Sequence, residues 1–202
     1  MIVVHPYEYP TSPHQRRHGP AGYRTYQRYR PWLEDEFSFR CVYCLKRFVW
    51  HPTDIWTVDH LIPVTERPDL ECNYINLVFA CLFCNLRKSA ARVPDPCRIA
   101  YGSCLRAEGD GSITALNGPG RRLVKILGLN HPHQIQERKK MMDVLFILAR
   151  ADPTQYRRLM GFPERLPDLE NETDAPENNL PKGLSQSHFA KRQRNELPEI
   201  YR

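Results

Sequence analysis

The sequence predicts an α+β fold in which a small metal-braced finger is embedded in a mainly helical domain that carries an extra β-hairpin. Three observations predict it. Two C-x-x-C pairs, Cys41-Val-Tyr-Cys44 and Cys81-Leu-Phe-Cys84, are separated by 36 residues, and a turn that offers two thiolates needs a second such turn to close a tetrahedral site. Short runs rich in β-branched and aromatic residues, FVW (48–50) and IWTV (55–58), lie between the pairs and read as strands. Beyond the pairs the apolar spacing becomes helical, with Leu123, Ile126 and Leu127 followed by MMDVLFILA over 141–149. At 202 residues the chain can bury one sizeable core but not two large ones.

Taken in order, residues 1–22 hold Pro6, Pro10, Pro13, Gly19, Pro20 and Gly22, which predicts an extended arm on the surface. The stretch YRTYQRYRPWLEDEFSF from Tyr23 interleaves aromatics with arginine, and suits either packing or a surface along a phosphate backbone. Pro31 reads as a helix start, with Glu34, Asp35 and Glu36 as acid in the first turn. FVW and IWTV are expected to form a hairpin around His51, Pro52, Thr53 and Asp54. The run INLVFACLFCNLRKSAARVP then carries the second cysteine pair into a helix that Pro94 must end. Its Asn85, Lys88 and Arg92 share one face, while Leu86, Ala90 and Val93 share a packing face. Asp110-Gly111 marks the extra hairpin. Gly128 stops a helix containing RRLVKIL, and a longer helix runs from about Pro132 to Arg150 with its MMDVLFILA stretch in the core. From Leu166 large apolar residues are sparse, and a disordered tail is expected. The resulting division is an arm (1–22), a main domain (23–165, with the finger over about 40–94 and the helical and hairpin extension over 95–165) and a tail (166–202).

The formal charge is +6, and the cations cluster: Arg16, Arg17, Arg24, Arg28 and Arg30 early, Arg87, Lys88, Arg92 and Arg98 after the second pair, then Arg121, Arg122, Lys125, Arg138, Lys139 and Lys140. Clustering of this kind favours a polyanionic partner over scattered solvated charge. MIVVHPYEYP is too short an apolar run for a signal peptide, and no stretch approaches the roughly 18 apolar residues of a membrane span. The expected location is cytoplasmic, with no membrane partner. In a reducing compartment the seven cysteines do not read as a disulfide framework. The two pairs read as one closed four-sulfur zinc site, against buried free thiols or a redox pair as the alternatives. Cys72, Cys97 and Cys104 default to packing.

The space between the pairs carries Asp59-His60-Leu-Ile-Pro63 and Asn76-Leu77, and Asn85 follows the second pair directly. C-x-x-C, VDHLIP and NLVFACLFCNLRKS, in that order, resemble the HNH endonuclease family over about residues 40–92. The resemblance implies a ββα-metal (treble-clef-like) finger braced by zinc on Cys41, Cys44, Cys81 and Cys84. It also implies hydrolysis of DNA, rather than RNA, phosphodiesters. His60 would be the general base, Asp59 and Asn85 the oxygen ligands of a catalytic Mg²⁺ or Mn²⁺, and Asn76 the support that aims His60. Lys88 and Arg92 are the expected phosphate contacts. Asn85 stands where the family often has histidine, and Glu66-Arg67-Pro68 replaces the glycines common in the loop. Because neighbours in a strand point to opposite faces, Asp59 and His60 can share one site only if the strand ends or bulges there, and Pro63 supports that ending. The competing reading is a zinc-stabilised nucleic-acid-binding module without cleavage. A redox sensor built on the remaining cysteines is a third. The region after residue 100 could serve a homodimer or a partner protein.

Overall fold

The computed structural model describes residues 5–50, 54–172 and 177–198. In chain order these form β1 (Pro20–Ala21), α1 (Arg30–Glu36), β2 (Trp56–His60), β3 (Leu77–Cys81), α2 (Leu82–Lys88), β4 (Leu105–Ala107) and β5 (Ile113–Ala115). They continue as α3 (Gly118–Leu127), α4 (Pro132–Ala151), α5 (Pro153–Met160), β6 (Glu177–Asn178), α6 (Lys182–Ser185) and α7 (His188–Gln193). The strands pair antiparallel as β1 with β6, β2 with β3 and β4 with β5. The architecture is the expected α+β one: a ββα unit formed by β2, β3 and α2, set among helices, with the Asp110-Gly111 hairpin as β4–β5.

β3 is the centre of the core. All five of its residues are buried, so it reads as a continuous apolar run with no alternation. Its register with β2 sets Trp56 opposite Cys81 and His60 opposite Leu77, and Trp56 stacks on Phe79 with ring centroids 5.1 Å apart. Removing the Phe79 ring would cost about 3–5 kcal/mol. The expected pairing of FVW with IWTV does not occur. Phe48–Trp50 is a single 3-10 turn, Trp50 Nε1 donates to the Leu159 carbonyl at 2.8 Å, and β2 instead takes the apolar β3 from beyond the loop. His51, Pro52 and Thr53 lie outside the described residues.

Three helix expectations are also corrected. α1 starts at Arg30, so Glu34, Asp35 and Glu36 occupy its last turn, and Asp35 and Glu36 are buried. α2 ends at Lys88, well before Pro94, because Ser89 leaves helical space at φ 48°; Leu86 is 68% exposed and is not a packing residue of the core. In α4 only Leu145 and Ala149 of the MMDVLFILA stretch are buried, while Phe146 and Ile147 are 53% and 61% exposed. A helix on the surface buries one stripe, however apolar its sequence. Gly128 does stop α3, in the left-handed region at φ 60°.

The arm, at His14–His18, and α7, at His188, are drawn into the fold by the acids of α1. Tyr7 and Tyr9 of the arm are buried, and the Tyr9 hydroxyl donates to the Tyr43 carbonyl at 3.0 Å. Asp35 bonds the His18 ring at 2.8 Å, and the His188 backbone amide and ring at 2.7 and 2.9 Å. Glu36 accepts from His14, the Arg17 and His18 amides and the Tyr74 hydroxyl. The tail expected to be disordered therefore has an anchor: α6 and α7 are placed by His188 on Asp35, and Leu197 is buried against Phe39, Phe162 and Leu166. A short helix low in large apolar residues is held by charge-assisted hydrogen bonds that composition does not register.

Burial alone would raise the Glu36 carboxyl, but the bonds from His14 and the Arg17 amide outweigh it, and its pKa falls from 4.5 to about 2. A carboxyl depressed on folding stabilises above its unfolded value and loses that contribution as pH falls through the folded one. The wild-type melting temperature should therefore drop between pH 4.5 and about 2. Glu36→Gln should remove part of that slope, equivalent to about 3 kcal/mol, as read by thermal melts in a pH series.

Candidate active site

Cys41, Cys44, Cys81 and Cys84 are all buried, and their sulfurs lie within 4.8 Å of one another. The Cys44 and Cys81 sulfurs are 3.7 Å apart, against about 3.8 Å for two vertices of a tetrahedron with zinc–sulfur bonds of about 2.3 Å. The first pair sits on a tight turn in which the Cys41 amide donates to the Lys46 carbonyl at 2.9 Å and the Leu45 amide to the Cys41 carbonyl at 3.0 Å. The second straddles the junction of β3 and α2, and the Val42 amide donates to the Phe79 carbonyl at 3.0 Å, joining the two turns. Cys41 foremost, the neighbouring thiols draw Cys44 well below the ordinary thiol range, while burial pushes Cys41 well above it. Four thiols crowded in an apolar interior, one of them driven toward thiolate, are a donor set that a soft dication neutralises. They fit a structural zinc with no open coordination position. Among the described residues no other group of three or more His, Cys, Asp or Glu side chains converges in this way. Cys72, Cys97 and Cys104 are free thiols outside the cluster.

At the other end of the same strand pair, β2 stops at His60, and the Leu61 amide turns back to the Asn76 carbonyl at 2.8 Å. The strand ends without a bulge, with Asp59 opposite Val78 and His60 opposite Leu77. Asp59 and His60 are both among the residues that line one cleft of about 330 Å³, together with Asn85, Lys88, Ser89 and Tyr26. His60 Nε2 lies 2.9 Å from the Glu71 carbonyl. A carbonyl only accepts, so Nε2 carries the proton and the neutral ring keeps its lone pair on Nδ1.

Asp59 is 4% exposed. One carboxylate oxygen accepts from the Tyr43 hydroxyl at 2.6 Å, and the other from Lys88 Nζ at 3.1 Å. Burial raises the Asp59 pKa, against the pull of the Lys88 charge and the Tyr43 bond. Burial, then the charge of Asp59, pushes the Tyr43 phenol well above its ordinary value, so it stays a donor. Asn76 is 6% exposed and spans the loop: its Oδ1 accepts from the Ile62 amide at 2.8 Å, and its Nδ2 donates to the Ile62 carbonyl at 3.0 Å and the Leu70 carbonyl at 3.3 Å. Asn85 Nδ2 donates to Thr57 Oγ1 at 3.1 Å, which leaves its Oδ1 as an acceptor.

The two expected phosphate contacts fall differently. Lys88 is 1% exposed, with Nζ also 2.5 Å from the His60 carbonyl. It is an internal cation under the Asp-His pair, because the helix face it shares with Asn85 is turned onto β2. Arg92 is exposed beyond the end of α2 and pairs with Glu66 at 2.5 and 2.7 Å. Sequence reasoning missed Tyr43, whose only signal was an aromatic inside the first C-x-x-C. It also missed Tyr26, whose ring centroid lies 4.7 Å from that of His60.

Compared with models of protein families, residues 41–91 match HNH endonuclease. No curated protein matches the chain. The matched segment, less than half of the chain, spans both cysteine pairs, the Asp-His pair, Asn76 and Asn85, so this part of the chain is similar to an HNH endonuclease domain.

Elemental analysis of the purified chain should find one zinc per molecule. Cys84→Ser should remove it and lower the melting temperature sharply, since the binding free energy of such sites is on the order of 10 kcal/mol and is partly folding free energy. Asn76→Ala should cost about 2–4 kcal/mol, because it strands buried backbone groups of the loop, and this is measurable by urea denaturation.

Proposed function

We propose that the chain is a metal-dependent endonuclease that hydrolyses DNA phosphodiester bonds, with His60 as the general base. The observation that carries this reading is the cleft shared by Asp59, His60 and Asn85, with the His60 ring held through Nε2 by the Glu71 carbonyl. That bond leaves Nδ1 free to take a proton from water. The Asn76 bonds to Ile62 and Leu70 hold the loop on which Glu71 lies, and so the imidazole. Asp59 and the Asn85 Oδ1 are oxygen donors suited to Mg²⁺ or Mn²⁺. Such a cation, when bound, supplies charge stabilisation at the phosphate oxygens and the departing oxygen. Tyr43 and Lys88 keep the Asp59 carboxylate oriented, and each leaves its oxygen a further lone pair.

A second reading has a specific observation in its favour. Lys88 already neutralises Asp59 from inside, which suits a module that binds nucleic acid and does not cleave it. The two readings separate on supercoiled plasmid, linear duplex, single strands and RNA, each incubated with and without Mg²⁺ or Mn²⁺. Endonuclease action requires cation-dependent cleavage of DNA that His60→Ala lowers by about 10²–10⁴-fold while duplex binding persists. Asn85→Ala should abolish turnover with the melting temperature nearly unchanged. Cleavage that survives His60→Ala would remove the base assignment, and binding with no cleavage under any condition would favour the second reading.

A further inference from the structure

Residues 14–18 of the arm lie outside the segment that matches the family, yet they bear on a residue inside it. The His14 ring, the Arg17 amide and the His18 amide all bond the Glu36 carboxylate, at 2.9, 2.9 and 3.0 Å. Arg16 stands between these anchors, so its side chain leaves the arm from a fixed point. Its guanidinium carbon lies 5.1 Å from the centroid of the Phe37 ring and 5.2 Å from that of Tyr74, and attraction to the ring faces holds the cation there. From this position Nη2 donates to the Ile75 carbonyl at 3.2 Å and to the Leu77 carbonyl at 2.7 Å. Ile75 and Leu77 are the two neighbours of Asn76.

Among the described residues β3 pairs with β2 alone, so carbonyls on its other edge need donors from elsewhere. The Phe79 carbonyl accepts from the Val42 amide at 3.0 Å, and the Leu77 carbonyl, two residues back, accepts from Arg16. At the start of β3 the arm thus supplies a bond that a third strand would otherwise supply, and a charged donor makes it a strong one. The Tyr74 hydroxyl donates to Glu36 at 3.0 Å, which ties the turn before Asn76 to the same acid that holds the arm. Asn76 in turn bonds Ile62 and Leu70, and the Glu71 carbonyl holds the His60 ring. A continuous series of bonds therefore leads from Arg16 to the imidazole.

We propose that Arg16 is a positioning residue for the hydrolysis: by clamping the carbonyls on either side of Asn76 it fixes that residue, and through the loop that Asn76 holds it fixes the His60 ring. This rests on reading His60 as the general base. It gives the arm a part in the reaction although no described arm residue lines the cleft. It also assigns an internal role to one of the early arginines expected to face a polyanion.

The test compares the full-length chain with two variants. Arg16→Met keeps an unbranched side chain against Phe37 and Tyr74 and removes every donor, whereas Arg16→Lys keeps a cationic donor. Arg16→Gln, too short to reach both carbonyls, takes the place of Arg16→Met if that variant does not fold. Two quantities are read: kcat and KM for Mg²⁺-dependent cleavage of supercoiled plasmid, and hydrogen exchange of the Leu61 and Ile62 amides, which donate to the Asn76 carbonyl and Oδ1. Arg16→Met should lower kcat about 10–10²-fold with KM unchanged, and Arg16→Lys should recover most of the loss. Exchange at Leu61 and Ile62 should quicken about tenfold in Arg16→Met, while the Leu116 amide, bonded to the Cys104 carbonyl beside the β4–β5 hairpin, keeps its rate. In a chain that cleaves, unchanged kcat, unchanged exchange at Leu61 and Ile62, or a rise that extends equally to Leu116 overturns the proposal. A wild-type chain that never cleaves removes the endonuclease reading instead. The exchange rates then decide alone: local quickening sustains the clamp on Asn76, and its absence overturns that as well.

Discussion

The convergence of four sulfurs on one point is the constraint on which the rest of the finger depends. Cys44 and Cys81 are far apart in sequence and 3.7 Å apart in space, and that meeting places the end of β3 beside the first cysteine turn. With Cys81 placed, the antiparallel register sets Trp56 against it and carries β2 outward so that Asp59 and His60 fall at the far end. The same junction starts α2 at Leu82, and one turn later Asn85 and Lys88 lie over Thr57 and Asp59. The four-sulfur cluster thus determines where the Asp59 and Asn85 oxygens stand, and a closed coordination would suit that scaffolding role.

The interior holds two acidic centres that behave differently. Asp35 and Glu36 are surrounded by histidine rings, backbone amides and Arg17, and despite burial their carboxyls are drawn well below the ordinary range. Such a centre is saturated; it ties α1 to the arm and to α7. Asp59 has one ammonium and one phenol, and burial leaves its carboxyl above the ordinary range. It is the less satisfied carboxyl of the two centres, and it is the one that lines the cleft. Buried charge of this kind contributes little net stability once desolvation is counted, which is consistent with Lys88 and Tyr43 serving geometry more than cohesion.

Much of the finger was legible in the sequence because its signals are local. Paired cysteines, a strand-ending proline and glycines or Asp-Gly at turns each act within a few residues, and Asn76, Asn85 and the Asp-His pair were singled out by their resemblance to the HNH motifs. The partner of β2 was not legible. FVW lies nearer than LVFAC, and proximity favoured it, but the stronger apolar run won because it alone could be buried on both faces. Nor could the inward turn of Lys88 be read, since a lysine on a short helix is ordinarily solvated and only the position of Asp59 beneath it decides otherwise.

The amino-acid order by itself determined the two cysteine pairs that meet in one cluster, where α3 and the Asp110-Gly111 hairpin fall, and that the cations come in clusters. The tertiary structure alone decided that Lys88 turns inward onto Asp59, that Tyr26 lines the cleft, and that α7 has an anchor at Asp35. The reason is physical. Backbone preferences act over one or two turns, whereas burial, desolvation and charge pairing depend on neighbours that only the folded chain brings together.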